Sequence, residues 1–207
     1  MLHREKTIEY FKEHLESLPE HYTVLDTSRL TVVYFCVVGL DILGEIESID
    51  KQKIIDTVYA MQLSPKAKAG HQGFAGSFYG QPFGNCLCAP TSCIDCNDSN
   101  YIPITCQAKG HIALTYTALA ILRTLGDDFS RIDKMSLIAE LQHLRQADGS
   151  FSASTDGGEC DTRFLFCACA ISHMINDWSG VDKDAAVVYI KRCLSYEGGF
   201  SLTPGLI

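Results

Sequence analysis

Apolar and polar positions along this 207-residue chain repeat in a pattern that starts three times with an apolar residue, an aspartate and a lysine. The aspartates are Asp50, Asp133 and Asp182. Four, eight and eleven residues past each of them the side chain is small or apolar, which is the spacing of one face of an α-helix. Each aspartate is predicted to cap its helix, because its carboxylate can accept a hydrogen bond from a first-turn amide. The positions predicted to be buried are Ile54, Val58 and Met61, then Leu137, Leu141 and Leu144, then Ala186, Ile190 and Cys193.

A second, more uniformly apolar helix is predicted ahead of each capped helix, at 35–38, 116–119 and 166–169. A helix that is apolar nearly all round is buried, and its amphipathic partner covers it. The step from Asp133 to Asp182 is 49 residues, and the step from Phe151 to Phe200 is also 49. A fixed period of that size is typical of a repeat architecture. The chain is therefore predicted to be all-α, built of helical hairpins with an inner and an outer layer. A further helix is predicted near the N-terminus, at about 5–18, ending before Pro19.

A cysteine-rich segment at 84–110 interrupts this pattern. The step from Asp50 to Asp133 is 83 residues, so roughly 30 residues are inserted between the first two repeats. Cys-x-Cys followed by Cys-x-x-Cys could bind zinc, and the alternative is a surface loop without a metal. The cysteines of this segment are Cys86, Cys88, Cys93, Cys96 and Cys106.

Composition narrows the class of protein. The net charge is −8 and the charged residues are dispersed, which argues against a nucleic-acid-binding surface. The longest apolar stretch, 32–40, is too short to span a membrane. No apolar signal segment opens the chain, so we expect a cytoplasmic protein whose cysteines stay reduced. A single domain over 1–207 is expected at this length.

Several motifs together resemble those of the β subunits of CaaX protein prenyltransferases, and most of all the type I branch that transfers geranylgeranyl groups. The motifs lie at 25–35, 110–117, 125–131, 148–151, 161–164 and 176–180. Each motif alone is weak, because other prenyltransferases and terpene cyclases share related repeats, but the set covers almost the whole chain outside 84–108. The resemblance implies an α-α toroid with hairpin repeats of about 49 residues. Inner helices ring an apolar funnel in that fold.

The resemblance also implies an activity. Such an enzyme moves a geranylgeranyl group from geranylgeranyl diphosphate to the cysteine of a C-terminal CaaX sequence on small GTPases. Zinc is its cofactor, because the attacking thiol must be a thiolate, and an α subunit of helical hairpins is its partner.

Eight residues of this chain match binding positions of the family. Thr31 stands where a small side chain leaves room for a fourth isoprene unit and where farnesyltransferases carry a tryptophan. The other matches to the lipid funnel are Phe35, Tyr116, Phe166 and Cys167. The matches near the CaaX peptide are His111 and Arg163, with Asp161 expected to orient the arginine. Without the resemblance, these residues read as ordinary core residues, a solvent-facing histidine and a structural ion pair.

The chain also departs from the family. The family's zinc ligands, an Asp-x-Cys pair and a later histidine, fall beyond Ile207, as does its diphosphate-binding basic cluster. We therefore expect about half of the ring, and a chain that is inactive alone. The alternatives are a non-catalytic form that binds the α subunit or a lipid without turnover, and a helical-repeat binding protein with no chemistry.

Overall fold

The computed structural model describes residues 3–63, 73–74, 110–155 and 157–205. The cysteine-rich segment at 84–110, apart from Gly110, lies outside the described residues. Seven α-helices, two 3-10 helices and one pair of short strands form in the described part. The α-helices are α1 (Arg4–Glu16), α2 (Arg29–Ile42), α3 (Lys51–Ala60), α4 (Ile112–Thr124), α5 (Lys134–Leu144), α6 (Thr162–Ile175) and α7 (Lys183–Arg192). The 3-10 helices are Glu20–Ser28 and Ile46–Ser48, and the strands are β1 (Phe151–Ser152) and β2 (Cys160–Asp161).

The three uniformly apolar helices lie side by side as an inner layer. α2 packs against α4, and α4 packs against α6. The amphipathic helices lie on the next inner helix along the chain, α3 on α4 and α5 on α6, while α1 packs on α2. This arrangement confirms the predicted layers of helical hairpins. Within the described ranges, no helix is long and apolar enough to cross a membrane.

α1 approaches α2 closely at a glycine. A Cβ atom added at Gly39 would lie 2.5 Å from Cε2 of Phe11, which is closer than real side chains come. The absence of a side chain at Gly39 therefore makes room for the Phe11 ring. α1 itself is shorter than expected, because it ends at Glu16 rather than near Leu18.

The three predicted aspartate caps are confirmed. Each carboxylate accepts a hydrogen bond from the backbone amide three residues later, which satisfies one of the unpaired amides of the first turn. The bonds join Lys53 N to Asp50 (3.0 Å), Ser136 N to Asp133 (3.1 Å) and Ala185 N to Asp182 (3.1 Å).

Burial follows the predicted face on α5 and largely on α3, where Ile54 is half-buried and its neighbour Ile55 is buried, but departs from it on α7. Val58 and Leu141 are fully buried, whereas Ile190, at the same place in the third repeat, is 37% exposed. The expectation for Ile190 is therefore wrong. α4 covers α3 and α6 covers α5, while no later helix covers α7 in the part of the chain that the structure describes. Tyr189 takes the buried position on α7 instead.

The apolar pattern of the inner helices predicts that they are buried on all sides. The structure shows one exposed face instead. Phe35 on α2 is 63% exposed and Phe166 on α6 is 58% exposed. Each inner helix buries its other sides against neighbouring helices, which leaves these two rings on one face that no described helix covers. Hydrophobic periodicity cannot distinguish such a face from core, because both are apolar.

A tight bridge closes each hairpin, including the first one. Phe151 pairs with Arg145 and Phe200 pairs with Leu194 in short antiparallel bridges. Phe74 pairs with Gln62 in the same way. The sequence pattern did not reveal this first bridge, because its turn is six residues longer than the other two.

The chain beyond these bridges returns to the start of the inner helix. Ile112 N donates to the carbonyl of Ala153, and Thr162 N donates to the carbonyl of Leu202, each over 3.0 Å. β1 pairs with β2 in antiparallel register, with Phe151 opposite Asp161. The small sheet thereby holds Asp161 at the first turn of α6.

Candidate functional site

Aromatic side chains connect the three inner helices along one face. Tyr34 lies 5.6 Å from the adjacent ring of Phe35 and 6.1 Å from the ring of Tyr116 on α4. The Tyr116 ring then meets Phe166 of α6 edge-on, with centroids 5.4 Å apart. We call Tyr34, Phe35, Tyr116 and Phe166 the aromatic face. Because two of its rings are more than half exposed, this face offers apolar surface to a ligand.

Thr31 borders the aromatic face on α2. It is half-buried and lies one helical turn before Phe35, so both side chains project from the same side of the helix. A threonine is small, so it takes up less room beside Phe35 than a tryptophan would. The structure therefore places Phe35, Tyr116 and Phe166 on the aromatic face and Thr31 beside it, while their role in binding a lipid stays a prediction.

The polar residues of the predicted site lie at the N-terminal ends of α4 and α6. Phe164 separates them: the His111 ring meets it edge-on at 5.9 Å, and the Arg163 guanidinium carbon lies 5.2 Å from its centre. Phe164 itself is buried. His111 and Arg163 thus flank a common aromatic ring, and the helix starts fix their positions.

His111 caps α4. Its Nδ1 accepts a hydrogen bond from the backbone amide of Ala113 over 3.2 Å. Nδ1 must therefore be unprotonated, so the neutral ring carries its proton on Nε2. Burial lowers the pKa of His111 below its ordinary value, which favours the same neutral form. The ring is only half-buried, and its Nε2–H can act as a hydrogen-bond donor.

Asp161 caps α6 and holds Arg163. Its carboxylate accepts bonds from the Arg163 backbone amide (2.8 Å), from Nε (3.1 Å) and from Nη2 (2.6 Å). Burial would raise the pKa of Asp161, but hydrogen bonds from Arg163 outweigh it and lower the pKa. The hydrogen bonds that Arg163 donates to Asp161, and then to Glu159, raise the pKa of Arg163.

Glu159 changes what the arginine can bind. Nη2 of Arg163 also pairs with the exposed carboxylate of Glu159. One guanidinium shared between two carboxylates leaves a net charge of −1 on the trio, so an added anion meets net repulsion there. The half-exposed guanidinium is suited to donate to an uncharged carbonyl, such as that of a peptide, better than to a carboxylate or a diphosphate.

Two thiols near the inner layer are chemically quiet. Burial raises the pKa values of Cys36 and Cys167 to about 11, so both stay protonated at neutral pH. Cys167, which matches the lipid funnel of the family, is therefore a small buried apolar side chain. No group of three His, Cys, Asp or Glu side chains that could hold a metal forms within the described ranges. The described residues thus do not fit a zinc ion.

Three residues that contact the predicted site residues are not indicated by the sequence pattern. Phe164, Glu159 and Tyr34 connect the predicted residues to one another, yet none stands out by spacing. Glu159 lies four residues before Arg163, a spacing that would have signalled an ion pair only if the segment were helical. The hydroxyl of Tyr34 finds its partner 82 residues away, which no local pattern reveals.

The Prenyltransferase alpha-alpha toroid domain family matches residues 2–206 of this sequence. The chain belongs to this family. Membership accounts for the two helical layers, and it agrees with the fold class predicted from the repeat period and the motifs.

Two relatives of the chain within the toroid family carry the same name. The geranylgeranyl transferase type-1 subunit beta of Arabidopsis thaliana is 38% identical over 98% of this chain and 51% of its own length. The subunit of that name from Dictyostelium discoideum is 37% identical over 98% of this chain and 58% of its own length. The chain thus spans a little over half the length of these relatives.

A solved toroid structure is similar as well. Protein geranylgeranyltransferase-I of Candida albicans complexed with GGPP superposes with a TM-score of 0.75 and 19% sequence identity. The match covers 100% of this chain and 55% of the Candida chain. At this identity the likeness shows the toroid fold.

Proposed function

We propose that this chain contributes the lipid-binding wall of a type I protein geranylgeranyltransferase β subunit. That enzyme transfers geranylgeranyl from geranylgeranyl diphosphate to the cysteine of C-terminal CaaX motifs on small GTPases. The observation that carries the proposal is the small side chain of Thr31 beside the exposed aromatic face. The names of the two relatives support the choice of lipid.

The aromatic face suits an isoprenoid because both are apolar. Each buried CH₂ of a ligand contributes about 0.8 kcal/mol, so a four-unit chain gains from contact with Phe35 and Phe166 across the inner helices. A bulky residue at position 31 would remove the space for the last unit. The space beside Thr31 therefore favours geranylgeranyl over farnesyl.

The polar residues suit the peptide substrate. Nε2–H of His111 and the guanidinium of Arg163 are donors fixed at two helix starts, and Asp161 orients the arginine. Backbone carbonyls of an extended CaaX peptide are acceptors of the matching kind. We therefore assign His111 and Arg163 to the peptide rather than to the diphosphate.

Two further components complete the proposal. An α subunit is the partner, and zinc is the cofactor that makes the CaaX thiol a thiolate when bound. Residues outside the described part of this chain would have to supply the zinc ligands.

Lipid binding is the direct test. The chain is co-expressed with a prenyltransferase α subunit, and the Kd values of geranylgeranyl diphosphate and farnesyl diphosphate are measured by calorimetry. Tighter binding of the four-unit lipid is expected, and binding of neither lipid would refute the proposal. Thioether formation with a CaaX peptide ending in leucine is then assayed with zinc present. Lipid binding without turnover would support the non-catalytic alternative.

Thr31→Trp tests the residue that carries the proposal. The indole fills the space for the fourth unit, so we expect the preference for the longer lipid to fall by roughly tenfold or more. Thr31→Ser is the matched control, because it keeps the side chain small and should keep the preference. A Thr31→Trp variant with the wild-type ratio of the two Kd values would show that Thr31 does not face the lipid.

A further inference from the structure

Two tyrosine hydroxyls meet between α2 and α4. The Tyr34 and Tyr116 hydroxyl oxygens are 3.4 Å apart, and both residues are half-buried. Burial, followed by the hydrogen bond with Tyr34, raises the pKa of Tyr116 to about 12. Tyr116 therefore stays protonated at neutral pH, and one hydroxyl of the pair can donate to the other. The pair is a polar contact set into an otherwise aromatic face.

Tyr116 occupies the middle of that face. Its hydroxyl is held from the α2 side by Tyr34, and its ring meets the exposed Phe166 of α6 edge-on, at an interplanar angle of 69°. The hydroxyl lies on the axis about which the ring turns, so this bond restricts the direction in which the Tyr116 side chain points rather than rotation about that axis. The hydroxyl pair therefore restricts where the Tyr116 ring lies against Phe166.

We propose that Tyr34 is a positioning residue for lipid chain length. It does not act on the reacting atoms. It orients Tyr116, which then keeps the Phe166 ring in the position that a four-unit isoprenoid requires. This inference rests on the proposed lipid-binding function. It adds Tyr34, which is not among the eight residues that match binding positions of the family.

Loss of the Tyr34 hydroxyl should therefore weaken the binding of the longer lipid more than that of the shorter one. Tyr34→Phe keeps the Tyr34 ring and its packing but removes the bond, so the Tyr116 side chain gains freedom to change its direction. Geranylgeranyl extends over more of the aromatic face than farnesyl, and it depends on the order of more rings. A purely structural bond between α2 and α4 would instead weaken folding without changing the selectivity.

The test compares four variants in the complex with an α subunit. Tyr34→Phe should raise the Kd of geranylgeranyl diphosphate about three- to tenfold, the range for loss of one hydrogen bond, with less than about a twofold change for farnesyl diphosphate. Tyr116→Phe should do the same, and the double variant should be no worse than either single one. Tyr10→Phe is the matched control, since it removes a hydroxyl from a second tyrosine pair, in which Tyr10 of α1 meets Tyr22 of the 3-10 helix Glu20–Ser28 at 3.1 Å.

A second readout does not need a lipid. The aromatic NMR signals of selectively labelled Tyr116 and Phe166 report ring orientation in the wild type and in Tyr34→Phe. Shifted signals of both the Tyr116 and the Phe166 rings are expected. If the wild type binds neither diphosphate, the proposed function fails, and unchanged ring signals would then overturn the positioning role as well. If the lipids bind, an unchanged Kd ratio in Tyr34→Phe overturns it.

Discussion

The outer helices α5 and α7 begin alike and end up in different surroundings. Five and eight residues past the capping aspartate, α5 carries Ile138 and Leu141, which are 7% and 2% exposed. At the same places α7 carries Val187 and Ile190, which are 49% and 37% exposed. All four are branched apolar side chains, so residue type does not explain the difference. α6 lies over α5, and no described helix lies over that side of α7.

The comparison separates two kinds of interaction. Caps and bridges form in both repeats from residues close in sequence. Burial of the outer helix depends instead on the next inner helix along the chain, and not only on the inner helix of its own hairpin. In this repeat protein, each hairpin is thus locally complete but is buried by its neighbour.

The largest expected difference in the free energy of unfolding is between variants of the buried Leu141 on α5 and of the exposed Ile190 on α7. Leu141→Ala should lower the free energy of unfolding by about 2–5 kcal/mol, because it leaves a cavity between α5 and the chain around Gly180. Ile190→Ala should cost less than about 1 kcal/mol, because water already reaches the side chain. Urea denaturation of both variants measures the difference. Equal losses would mean that α7 is covered in solution.

The second comparison uses the glycines of the closing turns. Gly149 and Gly198 both have a positive φ (90° and 82°), so alanine at either site incurs about 1–2 kcal/mol of backbone strain. A Cβ at Gly149 would also collide with the carbonyl oxygen of Ala185 on α7, whereas one at Gly198 would meet nothing within 4 Å. Gly149→Ala should therefore lower Tm clearly more than Gly198→Ala. Similar Tm values would indicate that α7 shifts easily away from the turn.

The caps should behave equally in the two repeats. Asp133→Ala and Asp182→Ala each remove one first-turn bond, so each should cost about 0.5–2 kcal/mol in the free energy of unfolding. Asp→Asn at the same two positions is the control, since asparagine also caps well. A much smaller loss of unfolding free energy at Asp182 would mean that α7 is already frayed at its start. The cap would then depend on the next hairpin, as burial does, and not only on residues close in sequence.

The smallest effect concerns the response to acid. His111 and Asp161 cap the inner helices of the second and third repeats. Because burial lowers the pKa of His111 below 6.5, the unfolded chain binds the proton more readily. The contribution of neutral His111 to the free energy of unfolding is therefore fully present above pH 6.5. It is lost as the pH falls below that value. Asp161, whose pKa is lowered below 3.8, retains its contribution in that window.

His111→Asn keeps a capping side chain and removes the titration. The unfolding free energy of this variant should change less between about pH 7 and about pH 5 than that of the wild type. Asp161→Asn should leave the slope in that window as it is. An unchanged slope in His111→Asn would show that the cap bond does not control the protonation of the ring.

Features that depend on neighbours in sequence could be predicted from the sequence. The aspartate caps, the layers of helices and the two later turns follow from residue type and spacing. Ile190 was assigned wrongly, because periodicity reports which side chains are apolar and not which helix covers them. The first bridge at Phe74 was missed, because its longer turn breaks the spacing.

The candidate site was reached mainly through the resemblance. The repeat pattern predicts that Tyr116 and Phe166 lie on inner helices. Their contact depends on how α4 and α6 are rotated relative to each other, which the pattern does not specify. Glu159 illustrates the limit: the carboxylate that changes the charge around Arg163 lies on a turn leading into β2, where spacing has no fixed geometric meaning. The role of each site residue stays a prediction until lipid and peptide binding are measured.

The bonds from Ile112 to Ala153 and from Thr162 to Leu202 have a consequence for biosynthesis. At about 5–20 residues per second, the acceptor carbonyl is made about 2–8 s after the amide that it serves. The first turns of α4 and α6 therefore remain incomplete on the ribosome until the outer helix and closing turn that follow each of them have emerged. Protection of these amides is expected to appear stepwise from the N-terminal side, one closed hairpin at a time.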